Sequence, residues 1–212
     1  MSRPLSALYN ALLLMLLVTL GVGLTVSLQH CSAPRVTAAQ QAAQQRALLE
    51  VVPGHVGPLR EMALDASPLA NRAELLGHRP PRPAFIAHQA GKPSALILQV
   101  QAPDGYGGPI DLLVGVSAQG HLLGLKVVVH GETPSLGGRI ETGDWLQGLV
   151  ERARQSLPEG GWALKQDQGA FDQISGATLT SRAVVQAVQR ALHYADAQRG
   201  QLFSASAPGA TP

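Results

Sequence analysis

Phe171-Asp172-Gln173-Ile174-Ser175-Gly176-Ala177-Thr178-Leu179-Thr180-Ser181 is the stretch around which this chain is organised. It stands directly before a long amphipathic pattern. Small or hydroxyl-bearing residues run from Ser175 to Ser181, with Leu179 the only bulky interruption. A helix that opens this way presents backbone N–H groups without intrahelical partners, and the positive end of its dipole. Both favour a phosphate. Small residues let the anion approach the backbone, and hydroxyls add donors and a point of covalent attachment. The same residues also read as a helix start with a Ser175 N-cap and nothing more, and local chemistry taken alone favours the cap.

Downstream, Val184, Val185, Val188, Ala191, Leu192 and Ala195 recur at helical spacing and predict a helix from about Ala177 to Ala195. Beyond Gly200 the tail is small, polar and Pro-containing, and is expected to fray. Upstream, Trp162 to Lys165 and Phe171 to Ile174 read as short extended pieces. Asp144 to Ser156 reads as a helix with Trp145, Leu146, Leu149 and Val150 on one face. Before it, Ala95 to Gln101, Ile110 to Val116 and Leu122 to His130 read as three strands joined by short turns, hence an antiparallel sheet. From His55 to Pro93 the pattern is weak and proline-rich, with a short helix around Ala70 to Leu76.

The N-terminus has a different character. No Asp, Glu, Lys or Arg occurs between Arg3 and Arg35. As a helix, the apolar run from Leu5 to Leu28 would rise about 36 Å, enough to cross a hydrocarbon core of about 30 Å. Gln29-His30-Cys31 is a poor cleavage or lipidation site, so a retained anchor is favoured over a cleaved signal. A short cytoplasmic tail and an exported domain are expected, although Arg35 and Arg46 oppose the N-terminal charge. Thr37 to Glu50 reads as a helix leading out of the membrane and stopped near Pro53-Gly54. The 212 residues carry a net charge of +2, and Lys and Arg are scattered with almost no aromatic interleaving. A nucleic-acid face is therefore not indicated. One cysteine, Cys31, allows no intrachain disulfide.

A second segment rich in glycine and polar groups is His130-Gly131-Glu132-Thr133-Pro134-Ser135-Leu136-Gly137-Gly138-Arg139. Glu132 and Thr133 offer polar contacts, Leu136 an apolar wall and Gly137-Gly138 a close backbone approach. With the helix start at Thr178 it would hold a phosphorylated cofactor; alone it is an ordinary sheet-to-helix connection. His130 and Glu132 are too few for a metal site, and none is expected. There is no nucleophile elbow, no Gly-Lys-Ser/Thr phosphate loop and no Cys-x-x-Cys.

Asp172-Gln173-Ile174-Ser175-Gly176-Ala177-Thr178 resembles the flavinylation motif of the FMN-binding domain family, Asp-x-x-Ser/Thr-Gly-Ala-Thr, at every fixed position. His130 to Gly137 resembles that family's His-x-Glu-Thr-Pro-Gly-Leu-Gly loop, with Ser135 where glycine is usual. Gly105-Tyr106-Gly107-Gly108-Pro109-Ile110 resembles its glycine–tyrosine turn. Trp162-Ala163-Leu164-Lys165, Gly169, Phe171 and Asp172 fit the approach to the motif. The likeness covers about Ala95 to Leu192. Within the family, a short chain with one N-terminal anchor is most similar to the G subunits of Rnf-type electron-transport complexes. The usually longer C subunit of the sodium-translocating NADH:quinone reductase is the close relative.

The resemblance implies an α+β fold: one N-terminal transmembrane helix, then a single antiparallel-sheet FMN-binding domain with flanking helices. Residues 1–34 would be tail and anchor, 35–94 a helical linker and irregular segment, 95–198 the FMN-binding domain and 199–212 a disordered tail. It implies covalent FMN on Thr178 through a phosphoester, installed by a separate flavin transferase that uses FAD. Ser175, Gly176, Ala177, Glu132, Thr133, Leu136, Gly137 and Lys165 are the implied cofactor-binding residues, with Tyr106 a weaker candidate. Asp172 would serve the transferase reaction through a bridging metal ion, or else make a structural hydrogen bond to the Ser175 turn. No catalytic acid–base residue is expected of this chain. The implied setting is a bacterial inner-membrane complex, with the soluble domain periplasmic and electrons passed between partner subunits. The alternatives are the quinone-reductase subunit, or a non-catalytic membrane-anchored sensor or assembly module of the same fold.

Overall fold

The structure, a computed structural model, describes residues 12–24, 43–55, 57–64, 73–133, 139–141, 144–153 and 157–204. The chain divides into two units, Met1–Arg46 and Ala47–Pro212. In the first, residues 12–24 are helical (α1), with exposed apolar side chains such as Leu14 and Leu16. Among the described residues no helix is long and apolar enough to cross a membrane. Both ends of the expected anchor, Leu5–Leu28, lie outside them. Residues 43–50 form a helix (α2) that ends in a turn before Pro53, as the Pro-Gly stop predicts.

The second unit is built on one five-stranded antiparallel sheet in simple sequential order. Its strands are β1 Leu59–Met62, β2 Ala84–Gln89, β3 Lys92–Ala102, β4 Ile110–Ser117 and β5 Leu122–Val129. The three expected strands are β3 to β5. The segment read as lacking pattern supplies two more. Its expected helix is a single 3-10 turn at Ala73–Leu76, and residues 65–72 lie outside those described.

Side chains alternate across the sheet. Leu96, Leu98 and Val100 of β3 face a large core with helices α3 (Asp144–Ala153) and α4 (Thr178–Ala197). Ala95 and Ile97 face a smaller one with Leu48, Val51 and Val52. β4 is buried along its whole length because both faces are covered. Gly115 and Gly124 pair across β4 and β5, and a Cβ on either would run into the backbone of Val51. These glycines let the chain leaving α2 lie flat on the sheet.

The C-terminus corrects one expectation. Instead of fraying beyond Gly200, the chain forms a short helix, α5 (Arg199–Ser204), whose Leu202 is fully buried in the larger core. The tail's composition gave no sign of that one apolar anchor. Residues 205–212 lie outside those described.

Candidate functional site

Ile174 to Ala177 make a tight turn closed by Ala177 N–H donating to the Ile174 carbonyl at 2.9 Å. Gly176 sits in it at φ 82°, a left-handed position that glycine takes without strain. Helix α4 then begins at Thr178, with Ala177 as N-cap. The Ser175 cap does not form: Ser175 is exposed, ahead of the N-cap residue Ala177, and no side chain caps the helix. The first i→i−4 bond runs from Ser181 N–H to the Ala177 carbonyl, 2.9 Å. The amides of Thr178, Leu179 and Thr180 therefore precede the ladder and have no intrahelical acceptor.

Ser181 ties the turn to the helix without capping it. Its Oγ accepts from Ile174 N–H at 3.0 Å and donates to the Ala177 carbonyl at 2.9 Å. The side chain is fully buried, so the turn is tied to the helix from inside. Arg139 Nη1 donates to the Ser175 carbonyl from the outside, 3.3 Å. Thr178 itself is half-buried.

The loop after β5 reaches the same place through Glu132. This residue is 6% exposed, and its Oε1 accepts from Thr180 Oγ1 at 2.9 Å and from Gly107 N–H at 3.1 Å. Its Oε2 is buried without a hydrogen-bond partner among the described residues. Gly107 and Gly131 are in backbone contact, so a Cβ on either would meet the other's carbonyl. The glycine–tyrosine turn, the loop and the first turn of α4 thus converge on one carboxylate. His130 is occupied structurally: Nδ1 accepts from Glu132 N–H at 3.2 Å and Nε2 pairs with Glu141 at 3.0 Å. No group of three or more metal-ligating side chains occurs among the described residues.

The motif's first residue is held from a different side. Asp172 Oδ2 pairs with Lys165 Nζ at 2.7 Å, and the Asp172 carbonyl accepts from Trp145 Nε1 at 2.6 Å. A hydrogen bond from Asp172 to the Ser175 turn was the structural alternative, and the Lys165 pair stands in its place. Asp172, Lys165, Trp145, Leu149, Arg152 and Phe171 line a cleft of about 550 Å³ beside α3. Of the other sequence candidates, Thr133 and Tyr106 are exposed, Ala177 is buried, and Leu136 and Gly137 lie outside the described residues. Sequence reading missed Ser181, Thr180, Arg139 and Trp145 as contributors. For the first two, the row of hydroxyls was a usable signal.

These segments fall within the part of the chain that matches a known family. Residues 105–193 match the FMN-binding domain model, a range that takes in the glycine–tyrosine turn, the Glu132 loop and most of α4. The G subunit of an ion-translocating oxidoreductase complex from Pseudomonas aeruginosa is 48% identical over 201 residues, 94% of this chain and 93% of that protein. Its counterpart in Shewanella oneidensis is 37% identical over 92% of each chain. That of Escherichia coli is 41% identical over 88% of this chain and 90% of its own length. This chain belongs to that G-subunit family and carries its FMN-binding domain. Membership fits the site's donor set: free amides at the start of α4, cationic Arg139 beside the turn, and an unobstructed Gly176 suit a phosphate.

Proposed function

We propose that this chain is the electron-carrying subunit of a membrane-bound, Rnf-type ion-translocating oxidoreductase complex, with FMN held on Thr178 by a phosphoester. The observation that carries this is the position of Thr178. It is the first residue of an uncapped helix, directly after the Gly176 turn, in a chain whose family relatives carry the G-subunit name. A phosphodiester keeps a negative charge, which the free amides and dipole of α4 favour. FMN, when bound, supplies reversible electron transfer. The chain's own residues position it: Gly176 gives the phosphate room, Ser175 and the α4 amides donate, and Glu132, Thr133, Leu136, Gly137 and Lys165 shape the surroundings. Asp172 serves maturation, during which a flavin transferase delivers the cofactor from FAD.

The apolar run from Leu5 to Leu28 supports an anchor in the inner membrane, with the sheet domain on the periplasmic side. Other subunits of the complex are the electron partners. Relatives over nearly the full chain favour the G-subunit reading over the quinone-reductase subunit.

Co-expression with a flavin transferase followed by denaturing gel electrophoresis tests the proposal. The wild-type band should fluoresce and Thr178→Val should be dark. A dark wild-type band under those conditions overturns covalent attachment. A reporter fused after Pro212 should be active on the periplasmic side, and activity in the cytoplasm reverses the orientation.

A further inference from the structure

Four hydroxyls occur between Ser175 and Ser181: Ser175, Thr178, Thr180 and Ser181. The function proposed above requires that one be presented and the others not compete. Ser181 is fully buried and engaged twice, by Ile174 and Ala177. Ser175 lies in the Ile174–Ala177 turn, outside the helix. The close rival of Thr178 is Thr180, two residues along the same turn.

Residues two apart on an α-helix lie about 200° apart around its axis. A first turn that faces Thr180 inward therefore faces Thr178 outward. What faces Thr180 inward is Glu132: Thr180 is fully buried, and its hydroxyl donates to Glu132 Oε1 at 2.9 Å across 48 residues of chain. The same oxygen holds Gly107 N–H, so its position is fixed by the sheet end rather than by α4. Among the described residues no hydrogen bond engages the Thr178 hydroxyl. A buried carboxylate with one oxygen unpaired is a costly group to keep.

We propose that Glu132 is the positioning residue that makes Thr178 the acceptor of the flavin phosphate, a role that rests on the function proposed above. In the transfer, Thr178 Oγ forms a bond to the riboflavin-side phosphorus of FAD. The pyrophosphate P–O bond breaks, AMP leaves with the bridging oxygen, and the hydroxyl proton is released. Nothing is oxidised or reduced. Glu132 touches none of the reacting atoms. It withdraws Thr180 from competition and fixes the rotation of the first turn.

The test uses the full-length chain with a flavin transferase, FAD and a divalent cation, following FMN uptake by mass spectrometry and mapping the modified peptide. Hydrogen exchange at the first turn of α4 is measured on the unloaded protein. Glu132→Ala should load about tenfold more slowly, the equivalent of losing the hydrogen bond that holds Thr180. It should also exchange faster at Ser181 and Arg182, the first bonded amides of α4, with α3 and β4 unchanged. Glu132→Gln, whose amide oxygen accepts the same two donors, should restore both readouts. Thr180→Val, which removes only the donor, should load more slowly, and it carries the test where Glu132→Ala fails to fold. Wild-type rates in Thr180→Val and in folded Glu132→Ala overturn the role of Glu132. So does a Glu132→Gln variant as impaired as Glu132→Ala, since charge and not the hold would then be operative. A wild-type chain that takes up no covalent FMN overturns instead the function on which the role rests.

Discussion

Lys165 Nζ lies 2.7 Å from Asp172 Oδ2, an ion pair between a lysine and the first residue of the flavinylation-type motif. Both side chains are mostly exposed, at 62% and 72%. An exposed pair of this kind contributes about 0–1 kcal/mol to stability. Asp172→Asn should therefore leave the unfolding midpoint nearly unchanged while blocking FMN loading by the transferase. Denaturant titration and in-gel fluorescence of the same preparation check both halves. A variant that loads normally removes Asp172 from maturation.

Ser181 predicts the opposite pattern. Its hydroxyl satisfies the buried turn on both sides, so Ser181→Ala strands the Ile174 N–H and should cost about 1–3 kcal/mol. Ser181→Cys should recover little, because a thiol hydrogen-bonds weakly. Chemical denaturation measures the loss, and hydrogen exchange should place it at Ile174 to Ala177.

His78 gives the fold a pH dependence with a definite sign. It is 6% exposed, near Arg82 and Asp111, and its Nε2 makes no hydrogen bond among the described residues. Burial, then the Arg82 guanidinium, push its pKa below the ordinary imidazole value, against the pull of Asp111. Above pH about 6.5 the ring is neutral both folded and unfolded, and contributes no slope. As pH falls through that value the unfolded chain takes the proton first, so stability drops until the folded pKa is passed. Thermal melts between pH 7.5 and 5 should show this decline, and His78→Gln should flatten it.

Gly115 and Gly124 make room for the Val51 backbone on the sheet. Gly115→Ala forces a methyl into that contact and should destabilise by about 1–3 kcal/mol. A fragment beginning at residue 43 should give a cooperative melt. One beginning at residue 57 strips Leu48, Val51 and Val52 from the smaller core and should bind hydrophobic dye.

How much of this was legible depended on how far each interaction reaches along the chain. The α4 stripe is local and strong, and the helix begins within one residue of its expected start. Strands β3 to β5 were readable because each is a long apolar run bounded by glycine. β2 was hidden by Pro80, Pro81 and Pro83 just before it, and its hairpin by an unusual turn. Ala90 and Gly91 both take positive φ, at 51° and 77°, where Asn-Gly is the usual signal. β1 is a four-residue edge strand with Arg60 and Glu61 at its middle, which blunts edge pairing and also conceals the strand. At the site, the motif named Thr178 and Asp172, but the Glu132–Thr180 hydrogen bond joins residues 48 apart and has no local signature.

The carbonyl of Val51 rests against Gly115 of β4 and Gly124 of the edge strand β5, while Thr178 opens a helix on the opposite face. The incoming chain is thus packed over the last two strands of the sheet, β4 and the edge strand β5. If Thr178 bears the flavin, its distance to another redox centre would change when the unit from Ala47 onward turns as a whole, or through the reach of the ribityl chain. Electron traffic would then be timed by rigid-body docking, and substitutions in the segment ahead of Ala47 would alter its rate without touching the flavin's potential.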